Sequence, residues 1–192
     1  MAIAMSFFFS LQVIADESSA EEQKIISATK REIQKHSLGF GLGQTFLLGN
    51  FENKGDDTIT LDLFYSYTAS YSFDLLIGAH ASSHSLNDTS VNLTGYTMSI
   101  KARSYEFDAF SPFVIGGLGF YMPTIKEEDG EKSDPKYTFG FNVGGGVDLR
   151  LNHKFIVGFM AHYHKPFEVK QDDTENVRGS YLKLLLTTMY LF

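Results

Sequence analysis

Apolar and polar residues alternate with a period of two along most of the chain, from Leu38 to the C-terminus. The clearest run is 137–151, whose odd positions read Tyr, Phe, Phe, Val, Gly, Val, Leu, Leu and whose even positions read Thr, Gly, Asn, Gly, Gly, Asp, Arg. A period of two indicates a β-strand with one apolar and one polar face. Such a strand spans about 50 Å and is far longer than the roughly five or six residues usual in globular proteins. An apolar face of this length favours a large apolar solvent on one side of the sheet.

The same alternation predicts eight strands, at 38–49, 58–69, 73–84, 96–105, 112–121, 137–151, 155–167 and 179–192, with the phase of 112–121 left ambiguous. The connections between them alternate in length. Short ones fall at 70–71, 107–111 and 152–153, and longer polar ones at 50–57, 85–90, 123–136 and 168–178. This alternation is typical of an up-and-down barrel in an outer membrane, and closure removes the sheet edges that hydrocarbon does not tolerate. The predicted fold class is therefore all-β, an eight-stranded antiparallel up-and-down transmembrane β-barrel.

Two parts of the sequence resemble bacterial outer-membrane barrels. The final segment 187–192 (TTMYLF) is similar to their C-terminal signal, which implies a membrane-insertion role for Tyr190 and Phe192. The glycine-rich runs 111–119 and 140–148 resemble the small OmpA/OmpW-like, porin-like families. This resemblance implies a location in the bacterial outer membrane with both termini periplasmic. It also implies a role between a plugged structural barrel and a narrow channel for small, often hydrophobic compounds. The chain differs from many such proteins in having no Trp, so its interface girdles would consist of Tyr and Phe.

The N-terminal part differs from the alternating part. Residues 1–15 carry an apolar run and end in Val13-Ile14-Ala15, which predicts a signal peptide cleaved before Asp16, although no basic residue precedes Lys24. A buried N-terminal strand or helix is the alternative. Residues 16–36 contain good helix formers and no Gly or Pro, which indicates a polar leader or a short helix. We assign 37–192 to the barrel domain.

The amino-acid composition argues against several classes of function. A net charge of −7 and a pI near 5.3 argue against nucleic acid as a partner. The absence of Cys excludes a disulfide framework, an iron–sulfur cluster and a thiol nucleophile. A soluble barrel of the lipocalin type would reverse the two faces, and would crowd the aromatic residues of 137–151 into a narrow lumen.

The alternation places seven charged residues on the inner face: Asp62, Asp74, Lys101, Arg103, Asp148, Arg150 and Lys183. All except Asp62 and Lys183 are expected near the end of the barrel with the short connections. Buried charges must be paired to avoid a large desolvation cost. The set therefore predicts either a salt-bridge network that fills the barrel or a charged constriction in a conducting path.

Four histidines are also predicted in the lumen, toward the long connections: His80, His84, His162 and His164. Imidazoles two residues apart on a strand can gather a metal ion. However, the third and seventh strands are expected on opposite walls, so we predict hydrogen-bonded histidines and no metal or other cofactor.

An enzyme that modifies membrane lipid would need a Ser and a His in contact with a positioned acid. The segment 80–85 with Asp88 offers the best candidates. His80 and Ser82 form a His-x-Ser spacing that is common by chance, and Ser83 is predicted to point outward. We therefore expect no enzyme.

These observations support two main functions: a narrow channel for small solutes, including hydrophobic ones, or a sealed structural or surface-interaction barrel. A lipid-modifying hydrolase is the third alternative. The expected partners are outer-membrane lipid and lipopolysaccharide, the barrel-insertion machinery and possible small solutes, with the chain as a monomer. The mixed-charge segments 126–136 and 170–178 are expected to be solvated loops.

Overall fold

The computed structural model of the chain describes residues 35–70, 72–103, 110–126, 133–170 and 176–192. They form a closed barrel in which each strand pairs antiparallel with the next and the last pairs with the first. The strands are β1 (His36–Leu48), β2 (Thr58–Thr68), β3 (Phe73–Leu86), β4 (Thr89–Arg103), β5 (Phe110–Lys126), β6 (Thr138–Arg150), β7 (Phe155–Pro166) and β8 (Ser180–Leu191). The predicted fold class is confirmed. The predicted signal peptide and nearly all of the predicted leader lie outside the described residues.

The two faces of each strand have the polarity that the alternation predicts. On β2, Ile59, Leu61 and Leu63 point outward and are 53–76% exposed, whereas Thr60 and Asp62 point inward and are buried. On β5, where the sequence was ambiguous, the odd positions point into the lumen. A band of exposed apolar side chains therefore surrounds the barrel, as in proteins whose outer face meets lipid.

The two ends of the barrel differ. At one end, which we call the turn end, the start of β1 meets the residue after β8, because His36 and Phe192 exchange backbone hydrogen bonds. The short connections β2–β3 and β6–β7 lie at this end and are closed by backbone bonds to Phe73 and Phe155. We call the opposite end the loop end. It carries the connections β1–β2, β3–β4, β5–β6 and β7–β8.

The predicted long connection at 85–90 is wrong. Leu86 pairs with Thr89, so β3 and β4 are joined by a two-residue turn of Asn87 and Asp88. Asn87 has φ of 52°, the left-handed conformation that such tight hairpins require. The sequence missed the first seven residues of β4 because the polarity reverses there, with Val91 and Leu93 buried inside the barrel.

The interior contains more apolar side chains than the alternation predicted. One buried cluster lies at the loop end and comprises Leu47, Phe51, Val91, Leu93, Tyr121, Ile125, Val169, Val177 and Tyr181. A second lies toward the turn end and comprises Phe64, Leu76, Phe113, Ile115, Met160 and Leu185. Inward glycines make room for these rings: a Cβ on Gly41 would lie 2.9 Å from Phe64, and one on Gly78 3.3 Å from the same ring. The bulky rings therefore occupy the space that the inward-facing glycines leave free in the narrow lumen.

Candidate functional site: the barrel lumen

A buried ion pair crosses the middle of the lumen. Lys183 Nζ on β8 lies 2.7 Å from Asp62 Oδ1 on β2, and the two side chains are 0% and 4% exposed. Strand β1 separates β2 from β8, and its Gly41 pairs directly with Asp62. A Cβ on Gly41 would lie 2.9 Å from Phe64 and 3.3 Å from Leu185, so apolar side chains cover the inner wall at this residue. Lys183 and Asp62 therefore neutralise each other where neither could be solvated.

Two further ion pairs occupy the turn end. Lys101 on β4 binds Asp148 on β6, and Arg103 on β4 binds Asp74 on β3 with Nε 2.9 Å from Oδ2. Lys101 also lies over a ring of the turn-end cluster, with Nζ 3.9 Å from the Phe113 centroid. These interactions join four of the predicted lumen charges.

The seventh predicted lumen charge, Arg150, is the last residue of β6 and is exposed. It belongs to the mouth of the barrel at the turn end. The other six charges pair within the interior.

Three lumen histidines meet at the centre. The rings of His80 and His164 have centroids 5.4 Å apart, and those of His162 and His164 are 4.2 Å apart. The expectation that β3 and β7 hold their histidines apart is wrong, because the lumen is narrow enough for side chains from opposite walls to touch. Among the described residues, no group of three or more His, Asp or Glu could hold a metal ion.

Each of these histidines has one hydrogen-bonded nitrogen. His80 Nε2 bonds the Tyr181 hydroxyl at 2.7 Å, and His164 Nδ1 bonds the Tyr121 hydroxyl at 3.1 Å. His162 Nε2 donates to the side-chain oxygen of Asn142 at 2.9 Å. Within the described part of the chain, His162 Nδ1 and His164 Nε2 are buried without a hydrogen-bond partner. The three histidines therefore form a tightly packed polar layer in which two ring nitrogens have no hydrogen-bond partner.

The fourth histidine has a different role from the other three. His84 donates from Nδ1 to the backbone oxygen of Asp56 at 2.8 Å, and its Nε2 lies 2.9 Å from Ser82 Oγ. The structure therefore contains a Ser–His contact, but a peptide oxygen takes the place where a hydrolase needs a carboxylate. Asp88, the acid considered from the sequence, lies in the exposed β3–β4 turn. His84 instead fastens the β1–β2 connection to β3.

That β1–β2 connection, residues 49–57, closes the loop end, and we call it the plug. Its Phe51 is completely buried and covers Gly179 so closely that a Cβ there would collide with the ring. Asp57 accepts a hydrogen bond from the Leu47 backbone at 3.1 Å, and the Lys54 carbonyl accepts one from Thr89 at 2.9 Å. The sequence predicts only a polar connection here, because the burial of Phe51 depends on its contact with Gly179, a residue far along the chain.

The outer face of the turn end carries aromatic side chains. Tyr190 and Phe192, the predicted insertion signal, point outward and are 42% and 53% exposed. Tyr190 packs against Phe155 with ring centroids 5.3 Å apart, and Phe192 stacks on His36 at 6.0 Å. Amphipathic rings in this position are typical of a membrane–water interface.

Residues 3–185 match the family model of the outer membrane protein beta-barrel domain. The chain belongs to this family. No curated protein has significant sequence similarity to it. Within its described residues, no helix is long and apolar enough to span a membrane.

Solved structures similar to this outer-membrane barrel are also small barrels. Neisserial surface protein A superposes with a TM-score of 0.64 at 10% identity, over 82% of this chain and 96% of that protein. Ail, the attachment invasion locus protein of Yersinia pestis, gives 0.54 at 13% identity, over 82% and 99%. The outer membrane protein OprG from Pseudomonas aeruginosa gives 0.53 at 12% identity, over 84% and 99%. These similarities show a shared fold.

Proposed function

We propose that this outer-membrane barrel is sealed, and that it acts by presenting its long loops at the cell surface. The observation that carries the proposal is the packing of the lumen over its whole height. The plug and the loop-end cluster close one mouth, and Phe51, Leu93 and Tyr181 there are at most 1% exposed. The Lys183–Asp62 pair and the histidines fill the middle. The turn-end cluster and two ion pairs fill the rest.

The other main function predicted from the sequence, a narrow channel, would require several of these groups to move together. A polar solute would have to displace Phe51 at the loop end, and then separate Lys183 from Asp62. Separating a buried ion pair exposes each charge to a large desolvation cost. The packed lumen therefore favours the sealed alternative, and the channel stays a prediction.

We also propose an orientation for the barrel in the membrane. In outer-membrane barrels the short turns face the periplasm and the longer loops face outward. Applied here, the turn end with both strand termini is periplasmic and the loop end is external. In the described part of the chain, the contact between Ser82 and His84 has the Asp56 peptide oxygen on the other ring nitrogen, and we propose that it serves to hold the plug.

Three of the loop-end connections carry a net negative charge. Acidic residues outnumber basic ones in each of the segments 49–57, 127–137 and 167–179. An acidic surface attracts cationic partners and repels anionic ones. Ail is described in complex with a heparin analogue, which is a polyanion. We propose that the present barrel differs from Ail in this respect and binds cationic surfaces.

The test is retention of the folded protein, in lipid nanodiscs, on beads coated with polylysine or with heparin. We expect retention on polylysine that is lost as salt shortens the screening length to about 3 Å near 1 M, and no retention on heparin. Retention on heparin, or on neither surface, would contradict the proposed partner class.

A matched pair of variants separates the loops from the overall charge. Changing Glu127, Glu128, Asp129 and Glu131 to their amides removes the largest of the three acidic segments, and should weaken retention on polylysine so that a lower salt concentration releases the protein. Changing Glu17, Glu21, Glu22 and Glu32 to Gln alters the net charge equally, and should leave it intact. Equal losses in both variants would show that the net charge alone is responsible.

A further inference from the structure

Three histidines form a closely packed layer in the middle of the lumen, shielded from solvent. His80, His162 and His164, which we call the histidine layer, are 6%, 1% and 1% exposed. Among the described residues, His162 Nδ1 and His164 Nε2 have no hydrogen-bond partner. A protonated imidazole carries a donor on both ring nitrogens. Protonation would therefore leave a buried N–H without an acceptor at each of these two positions, which is costly.

The two charged residues beside the layer already neutralise each other. Lys183 on β8 lies opposite His162 in the β7–β8 register, and its positive charge acts on all three rings. Asp62 on β2 lies opposite His80, but its carboxylate binds Lys183 at 2.7 Å. A proton taken up by the layer would therefore add a positive charge beside Lys183 without adding a carboxylate to balance it.

The other strands around the layer present uncharged polar groups. Among the described residues, these contacts come from Gly95 on β4, Tyr121 on β5, Asn142 on β6 and Tyr181 on β8. The fourth lumen histidine, His84, lies farther along β3 and is held by the plug backbone, with Nδ1 2.8 Å from the Asp56 oxygen. Protonated histidines in the layer would therefore repel one another and Lys183 at close range.

The layer is joined to the loop end through two tyrosines. The Tyr181 hydroxyl bonds His80 Nε2 at 2.7 Å, and the Tyr121 hydroxyl bonds His164 Nδ1 at 3.1 Å. The Tyr181 ring also stacks on His164, with centroids 4.8 Å apart. Both tyrosines belong to the loop-end cluster that contains Phe51 of the plug. A displacement of the histidines therefore acts directly on the residues that pack with the plug.

We propose that the histidine layer is an acid-sensitive support of the loop end, and that proton uptake by the layer loosens the loop-end cluster and releases the plug. A histidine in water is half protonated at about pH 6.5. The loosened state therefore binds more protons than the packed state, and the packed state loses stability as the pH falls below about 6.5. This inference concerns the same end of the barrel as the proposed function, but it does not depend on what the loops bind.

A single introduced cysteine measures the loosening, since the chain has no other. Val91→Cys places a thiol in the loop-end cluster, at a position that is 0% exposed. Its rate of reaction with N-ethylmaleimide is measured for the folded protein in lipid nanodiscs and for the same protein unfolded in urea. The ratio of the two rates at each pH is the protection of the thiol, and it cancels the intrinsic pH dependence of thiol reactivity. Between about pH 7.5 and about pH 5.5, we expect protection to fall about tenfold for each histidine that is released.

The decisive variant keeps the hydrogen bonds of the layer but cannot take up protons. A Gln amide can replace Nε2 of His80 and of His162, and an Asn amide can replace Nδ1 of His164. Together with Val91→Cys, the triple change His80→Gln, His162→Gln and His164→Asn should show the same protection at both pH values. The matched control is His153→Gln, which removes an exposed histidine of the β6–β7 turn and should leave the acid response unchanged.

A second reporter tests whether the loosening is confined to the loop end. Leu76→Cys places the thiol in the turn-end cluster, where acid should leave its protection unchanged. If the triple variant does not fold, His162→Gln alone should show a smaller acid response than its Val91→Cys parent. Unchanged protection of Val91→Cys in acid, an equal acid response in the histidine variants, or an equal loss of protection at Leu76→Cys would each overturn the proposal.

Discussion

The ion pair of Lys183 and Asp62 shows how much two buried residues can contribute to the stability of a narrow barrel. Their charged atoms are 2.7 Å apart and both side chains are buried. Removing one partner of such a pair leaves an uncompensated charge, which costs about 3–5 kcal/mol, whereas replacing both with apolar residues is often neutral. Lys183→Ala should therefore lower the free energy of unfolding by about that amount.

The matched control for Lys183→Ala is the double variant Asp62→Leu with Lys183→Met, which should be about as stable as the wild type. Urea unfolding of the protein in phospholipid vesicles, followed by far-UV circular dichroism, measures all three proteins. If the double variant lost as much stability as Lys183→Ala, the ion-pair explanation would fail.

For individual residues, the sequence predicted which side chains point into the lumen, but not which side chains they contact there. The alternation determines the face of Asp62 and of Lys183, since each face repeats every two residues. Which residues meet across the lumen depends on the stagger and width of the barrel, and no local pattern contains that information. For the same reason the meeting of His80 with His164 was not expected.

In the β3–β4 hairpin, the backbone conformation of one turn residue determines where β3 ends and β4 begins. The turn requires a positive φ at Asn87, and for a residue with a branched side chain that conformation costs about 1–2 kcal/mol. Asn87→Val should destabilise the barrel by this amount, and Asn87→Gly should not, because Gly adopts positive φ freely.

The same urea titration measures both Asn87 variants. Equal stability of the Val and Gly variants would show that the turn conformation does not limit the hairpin.

Most strands could be predicted because a lipid-facing strand alternates over its whole length. The exceptions lie at the loop end. The beginning of β4 carries Val91 and Leu93 on its inner face. Its polarity is therefore opposite to that of the lipid-facing part, and the sequence pattern predicts a connection there. The plug was missed as well, since its burial depends on Phe51 meeting Gly179, more than a hundred residues later in the chain.

For the whole molecule, the closed antiparallel topology of the barrel could be predicted from the sequence. Whether side chains fill the lumen could not. Eight alternating strands with short and long connections were enough to predict an eight-stranded transmembrane barrel, and both the structure and the family match confirm that class. An eight-stranded barrel is just wide enough for side chains to fill. Whether they fill it depends on three-dimensional packing, such as Tyr121 lying beside Gly119 and Gly140.

The most direct test of the sealed barrel is the single-channel conductance of the folded protein in a planar bilayer. The packed lumen predicts that each insertion leaves the membrane current at its baseline, because Phe51, the Lys183–Asp62 pair and the turn-end cluster block the path in series. Protease protection of the inserted barrel strands verifies that the protein is in the bilayer. Reproducible unitary current steps from the inserted protein would contradict the account, and would indicate an open path through the lumen.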